Sequence, residues 1–237
     1  MELRTFSNVV EISEHRSVSA PGAHRHATAY AAIVLQGEYT EISADGKLVV
    51  GPGDVVVHPV FHKHKNVFVT SPVSVLNLQL PASVGITLPY ACLSFSELPL
   101  SQDDILLRPC DSAAIIAEQF GELDDETRLR ADIDGVGLAW EKLKQPRALK
   151  INRVAAETGV SPEHLAREFR ARYGLSPVEY RGEHRFRHAL HRLFAGDTAA
   201  MTACKSGYSD QSHMTRDIRQ RIGMTPRELI HYLGLGL

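Results

Sequence analysis

The last third of the chain contains one pattern written twice. Residues 155–179 read AAETGVSPEHLAREFRARYGLSPVE, and residues 203–228 read ACKSGYSDQSHMTRDIRQRIGMTPRE. Ala155, Gly159 and Ser161 match Ala203, Gly207 and Ser209 at one offset. One residue is then inserted, and Arg167, Arg170, Arg172, Gly174, Pro177 and Glu179 match Arg216, Arg219, Arg221, Gly223, Pro226 and Glu228. A unit repeated this closely folds twice as the same supersecondary module.

The chemistry of each copy predicts helix, tight turn and helix. In the first, residues 152–157 suit a short helix with Val154 and Ala155 inward, and Gly159 supplies the positive φ of a close turn. Ser161 is an N-cap and Pro162 the first helical residue, where a missing N–H costs nothing. Leu165, Phe169 and Tyr173 recur every four residues as one apolar stripe, and Gly174 is the stop. In the second copy Ala203 is the small residue, Gly207 the turn, Ser209 the cap, Met214, Ile218 and Ile222 the stripe, and Gly223 the stop. The opposite faces carry Glu163, Ala166, Arg167 and Arg170 in one copy, and Gln211, Ser212, Thr215, Arg216 and Arg219 in the other. Arg, Gln and Glu pair with base edges in the major groove, and Arg also neutralises phosphate. Between the copies, Phe186, Ala189, Leu190, Leu193 and Phe194 keep helical spacing until Gly196. A helix of about 18 residues is roughly 27 Å long, a strut suited to grooves that recur about every 34 Å.

Charge divides the chain in the same place. The whole carries a net charge of −2, but residues 146–237 hold 15 Lys+Arg against 9 Asp+Glu, and residues 1–145 hold 11 against 19. A basic half joined to an acidic half fits a protein of which one half approaches phosphate.

The segment 151–233 resembles the DNA-binding domain of the AraC/XylS family of bacterial transcription regulators. The matching strings are GVSPEHLAREFRARYGLSPVEY, RFRHALHRLF and GYSDQSHMTRDIRQRIGMTP. Thr202 stands where a larger apolar residue is usual, and Asp217-Ile218 where a basic-aromatic pair is usual. The resemblance implies base-facing positions at Glu163, Ala166 and Arg167 in the first recognition helix, and at Gln211, Ser212 and Arg216 in the second.

Residues 1–100 read as all-β. Short apolar runs at 31–35, 48–50, 54–57, 67–69 and 73–80 alternate with turn signals at Gly37, Ala44-Asp45-Gly46, Gly51-Pro52-Gly53 and Ser71-Pro72. The Ala-Asp-Gly turn predicts a hairpin, and many short strands predict a small barrel or jelly roll. His24 and His26 flank Arg25 on a strand and so face one way.

The strings HRHATAY and GDVVVHPVFHKH resemble the two cupin motifs, with Tyr30 where cupin enzymes have a glutamate ligand and Phe61 where a glycine is usual. The resemblance implies that His24, His26 and His64 converge inside the barrel, either on Zn²⁺, Ni²⁺ or Fe²⁺ or as hydrogen-bond and ligand contacts without a metal. Tyr30 is expected in an effector pocket, and His58 and His62 on the surface or in loops.

Residues 101–145 are expected to connect the halves through two helices, over 111–121 and 136–144, with the acidic run 122–126 solvated between them. Such helices either pair subunits or cover the barrel. Cys92, Cys110 and Cys204 are odd in number and far apart, which reads as reduced thiols of a cytosolic protein, with Cys204 in a helix core. No apolar stretch is long enough for a bilayer, and the N-terminus lacks the apolar core of a secretory signal.

The fold expected is α+β: a cupin-like effector domain at 1–100, a helical linker at 101–145, and an all-α domain with two helix-turn-helix units at 146–237. The expected role is transcription regulation rather than catalysis, because Tyr30 removes a carboxylate ligand. A cupin enzyme with an accessory DNA-binding domain and a β-domain that only dimerises are the competing readings. The partners expected are a duplex DNA operator, a small-molecule effector, a second copy of the chain and RNA polymerase.

Overall fold

Alternation in the first hundred residues becomes ten short strands: β1 (Glu2–Arg4), β2 (Val10–His15), β3 (His24–His26), β4 (Tyr30–Gln36), β5 (Tyr39–Ser43), β6 (Gly46–Val50), β7 (Asp54–His58), β8 (Lys63–Val67), β9 (Val73–Gln79) and β10 (Ala91–Ser94). The structure is a computed structural model that describes residues 2–4, 8–69, 72–83, 85, 87–123, 134–145 and 150–233. It divides into two units, Met1–Leu129 and Arg130–Leu237.

In the first unit the strands form two five-stranded sheets, ordered β1-β3-β8-β5-β6 and β10-β7-β4-β9-β2. The pairs are antiparallel except β1 with β3. Among the described residues no ladder joins one sheet to the other, so the fold is a jelly roll of two sheets and not a closed barrel. The Ala-Asp-Gly signal forms the expected hairpin. Ser43 pairs with Gly46, which takes a φ of 129°, and Ala44-Asp45 is the two-residue turn.

Tyr30, Ala32, Val34, Val56, Val73 and Val75 from one sheet meet Tyr39 and Val50 from the other, and Phe68 joins them in the core. The reverse face of the second sheet is covered too. Helix α1 (Gln102–Leu107) precedes α2 (Pro109–Gly121), which buries Ala113, Ile116, Ala117 and Phe120 as their spacing predicts, and α2 packs on β9. Burial on both faces is why β4, β7 and β9 read as continuous apolar runs.

The second unit is helical: α3 (Gly135–Lys144), α4 (Ile151–Glu157), α5 (Pro162–Tyr173), α6 (Pro177–Phe194), α7 (Ala199–Lys205), α8 (Gln211–Ile222) and α9 (Pro226–Tyr232). Helix α3 packs on α4, α5 and α6. Trp140 lies against Tyr173 and Tyr180, with Lys144 Nζ over its ring at 3.3 Å. Asp134 caps α3 through the Gly137 N–H and pairs with Arg172 of α5 at 2.6 Å. The stretch expected as a linker is thus shared: α1 and α2 lie in the first unit, α3 in the second. Residues 124–126 of the acidic run and 146–149, where the second boundary is expected, lie outside the described residues, as does Ser71 of the expected Ser-Pro turn.

Candidate nucleic-acid interface and a histidine-lined cavity

Both repeats fold as their sequences predict. Helix α4 turns at Gly159 (φ 73°) into α5, and α7 turns at Gly207 (φ 75°) into α8. Ser161 accepts the His164 N–H, which caps α5 beside Pro162. The second cap differs from expectation. Asp210, not Ser209, accepts the His213 N–H at 2.7 Å, and Ser209 Oγ donates to Asp210. The inserted residue lies in this turn, so Asp210 is the positional equivalent of Ser161. A carboxylate also suits the positive end of the helix dipole, and the first-turn amide holds Asp210 below the usual carboxylate range. Gly174 and Gly223 end the two helices in the left-handed conformation, at φ 70° and 78°.

The stripes Leu165, Phe169, Tyr173 and Met214, Ile218, Ile222 are buried. Each of the large apolar side chains contributes about 1.5–3 kcal/mol. The opposite faces are open to solvent: Glu163, Ala166, Arg167 and Arg170 on α5, and Gln211, Ser212, Arg216 and Arg219 on α8, with Thr215 half-buried. Arg167 touches His164 Nδ1 at 2.9 Å and Glu168 at 3.2 Å, and Arg170 lies 3.8 Å from Glu179. These contacts are solvent-exposed and weak, so they give way to phosphate or a base at little cost.

A polar network fixes α8 against the strut α6. Arg221 Nε donates to Asp217 at 2.9 Å, and its Nη1 donates to buried Glu183 of α6 at 3.0 Å. A Cβ on Gly182 would stand 2.9 Å from Arg221 Nη2, so a residue without one makes room for the crossing. Asp217, a departure from the usual family residue, is therefore consumed inside the fold. Beside it, Arg181 and Arg185 of α6 line an open concavity of about 740 Å³ with Tyr208, Gln211 and His213, and the Arg185 guanidinium lies 4.5 Å from the Tyr208 ring centre. Sequence reading did not single out these two arginines. Burial and then the charge of Arg185 lower Arg181 from its usual value, the mark of cations crowded toward one face.

In the first unit, His24, His26 and His64 do converge: one ligand atom from each lies within 4.8 Å of the others. The register explains it. His24 sits opposite His64 on β3 and β8, and His26 is two residues on. His24 Nδ1 is 3.2 Å from the Gly22 carbonyl and His64 Nδ1 3.4 Å from that of His62. Donation there leaves Nε2 as the coordinating nitrogen of each ring. Tyr30 reaches His64 Nε2 at 3.2 Å through its hydroxyl. These residues, with Tyr39, Asn66 and Asn77, line a cavity of about 180 Å³. Burial first, then the neighbouring imidazoles, pushes His64 well below its usual value, so it stays neutral, the form in which an imidazole binds a metal.

His58 and His62 are not surface residues: they are 1% and 2% exposed. His58 follows from β7, whose end lies opposite Tyr30, and its ring stacks on Tyr30 at 4.3 Å. Glu41 of β5 was not singled out at all. It is fully buried, with both carboxylate oxygens 2.9 Å from His58 Nε2. The available signal was a carboxylate alternating with Tyr39 on a strand just before the hairpin turn. Cys204 also departs from expectation, since it is exposed while Thr202 and Ala203 form the inner face of α7.

A family model described as "Helix-turn-helix domain" matches residues 154–231. The chain is similar to the "Bifunctional transcriptional activator/DNA repair enzyme Ada" of Escherichia coli, at 26% identity over 99 residues, which is 42% of this chain and 28% of that protein. It is likewise similar to the "Regulatory protein ada" of Salmonella typhimurium, at 27% identity over 40% of this chain and 27% of that one. The chain thus spans little more than a quarter of the curated relatives it matches. Among solved structures it is similar to fatty-acid-bound ToxT of Vibrio cholerae, with 12% identity, 93% and 94% coverage and a TM-score of 0.41. A probable AraC family regulator of Rhodopseudomonas palustris matches at 27% identity over 42% of this chain and 96% of that one, with a TM-score of 0.37. No helix among the described residues is long and apolar enough to cross a membrane. Residues 154–231 of this chain are thus a helix-turn-helix domain.

Proposed function

We propose that the chain is a sequence-specific transcription regulator whose α5 and α8 read two successive major-groove segments, under control of a small effector in the first unit. One observation carries this: two helices with equivalent caps, stops and buried stripes present equivalent arginine-bearing faces to solvent. Glu163, Ala166, Arg167, Gln211, Ser212 and Arg216 face the bases. Arg170, Thr215 and Arg219 face the backbone, joined by Arg181 and Arg185. The 18 residues of α6 span roughly 27 Å, the scale of the groove repeat.

The effector occupies the cavity beside His24, His26, His64 and Tyr30. Its volume of about 180 Å³ lies below the roughly 300 Å³ at which drug-sized sites begin, so the effector has few heavy atoms. It contacts the imidazoles directly or through a Zn²⁺, Ni²⁺ or Fe²⁺ ion. Unequal affinity for two states of the chain then shifts DNA binding. The regulator works in the cytosol as a homodimer, engages RNA polymerase at promoters, and catalyses no reaction.

Selection from random duplexes by the purified full chain tests this. The expected product is a motif with two conserved blocks about one helical turn apart. Recovery of no enriched motif overturns the proposal.

A further inference from the structure

The first unit holds a second donor set. Glu41, His58, His62 and His64 each place one ligand atom within 4.8 Å of the others, and all four are buried. They come from separate places: β5, the end of β7, the loop after it and β8. The first three are not among the residues lining the cavity.

We propose that Glu41, His58, His62 and His64 form a transition-metal site for a divalent cation such as Zn²⁺, distinct from the cavity face of His24 and His26. Three imidazoles and one carboxylate are a donor set that Zn²⁺, Fe²⁺ and Ni²⁺ accept. His58 Nε2 stands 2.9 Å from each Glu41 oxygen. Two donors bound to one tetrahedral Zn²⁺ at about 2.1 Å stand roughly 3.4 Å apart, so a shift of about half an ångström admits the ion.

Outer partners are in place as well. Asp45 Oδ2 lies 3.0 Å from His62 Nε2, the carboxylate–imidazole pairing that orients a metal-bound histidine, with Nδ1 left to coordinate. His62 stacks on Tyr90 at 4.3 Å, and His58 on Tyr30, so both rings are held in position.

Electrostatics favours a cation. A fully buried carboxylate needs positive charge nearby. The largest influences on Glu41 are its burial, His58, His62 and Tyr90. A divalent ion replaces a protonated imidazole as the counter-charge of Glu41 and takes the imidazoles in their neutral form. His64 belongs to both donor sets, so a cation here draws it from the cavity and couples metal occupancy to the effector face. The site stands independently of the DNA-reading proposal.

The test uses the full chain stripped with a chelator and titrated with Co²⁺, followed by its visible absorption, with Zn²⁺ as competitor. One equivalent is expected to bind. Glu41→Gln and His62→Gln weaken binding at least about 10-fold, and Asp45→Asn, the milder outer change, weakens it about 10-fold. His231→Ala, at an exposed position of α9, leaves it unchanged. Thermal unfolding of each metal-free variant establishes that it folds, and Asp45→Asn serves if the buried variants do not. Two results overturn the proposal: no Co²⁺ binding by the wild-type chain, or wild-type binding by folded Glu41→Gln and His62→Gln (by Asp45→Asn where those two do not fold).

Discussion

The Tyr208 phenol donates to Asp217 Oδ2 across 2.7 Å, tying the turn before α8 to the middle of that helix. Burial first, and then Asp217, pushes Tyr208 ionisation up, so it remains a donor across the working pH range. Asp217 passes the contact on to Arg221, and Arg221 to Glu183 of the strut. This chain of four side chains ties α8 to α6 and to the turn before α8. Tyr208→Phe should lower unfolding stability by about 1–2 kcal/mol. Arg221→Ala should cost more, about 3 kcal/mol, because it removes a charged hydrogen-bond partner from the buried Glu183 carboxylate. Chemical denaturation of each variant checks the order.

Arg167 and Arg216 occupy equivalent exposed positions on α5 and α8. Alanine at either should weaken operator binding by about 1–3 kcal/mol where the arginine reads a guanine. The loss should be confined to one block of the site for each variant. Gel-shift titration on block-swapped duplexes measures it, and unchanged affinity in both variants removes the assignment.

Acid should unfold the metal-free first unit before the second. An unfolded histidine titrates near 6.5, whereas burial, then the charges of His58, His62, His24 and His26, pushes His64 well down. Below pH 6.5 the unfolded chain therefore binds a proton that the folded one refuses, and stability falls with pH. Glu41 adds to this. Burial raises its carboxyl, but His58 by charge and hydrogen bond, and His62, leave it below 4.5. Its contribution is present above that value and disappears as pH falls through the folded one. The thermal midpoint of the first unit should drop steadily below about pH 6.5, and His64→Gln should flatten the slope. A midpoint independent of pH contradicts this.

Cys110 and Cys204 are exposed. Burial, then Asp54, Glu41 and Glu97, pushes the Cys92 thiol up to about 12. A thiol reagent near pH 8 should label two sites in the folded protein and the third only in denaturant, since the thiolate is the nucleophile. Rapid labelling of Cys92 in the native state would be the contrary result.

Phe61 takes a φ of 59°, where glycine is usual, while its ring is 1% exposed. Its backbone is held by the Arg25 Nη1 donor at 2.5 Å and by its own N–H to the His26 carbonyl at 2.9 Å. Phe61→Gly relieves roughly 1–2 kcal/mol of strain and forfeits roughly 3–5 kcal/mol of packing. A net loss of about 2 kcal/mol is expected from these opposing effects. A stabilised Phe61→Gly protein would show that the ring is poorly packed.

What was legible in the sequence is what local chemistry decides. Caps, stops and stripes placed α5, α6 and α8 nearly to the residue, because each signal acts within one or two turns. The Ser209 cap misled because the inserted residue shifts the turn, and only the helix start at Gln211 shows that Asp210 takes the role. The strand β2 escaped because it has no continuous apolar run: it alternates, with Ile12 exposed. His58, His62 and Glu41 were misread or missed for a different reason. Their meeting depends on strand order across two sheets, and no local pattern encodes that. Trp140 was read as helical but not as part of the second unit, since its partners lie some thirty residues on.

Hydroxyl-radical footprinting of the full chain on a selected duplex tests the two-helix account most directly. Two protected backbone segments should appear on one face of the duplex, with centres about 10 base pairs apart. Arg167→Ala should weaken one and Arg216→Ala the other. A single protected segment, or two that respond together to either substitution, would contradict the claim that α5 and α8 read adjacent grooves.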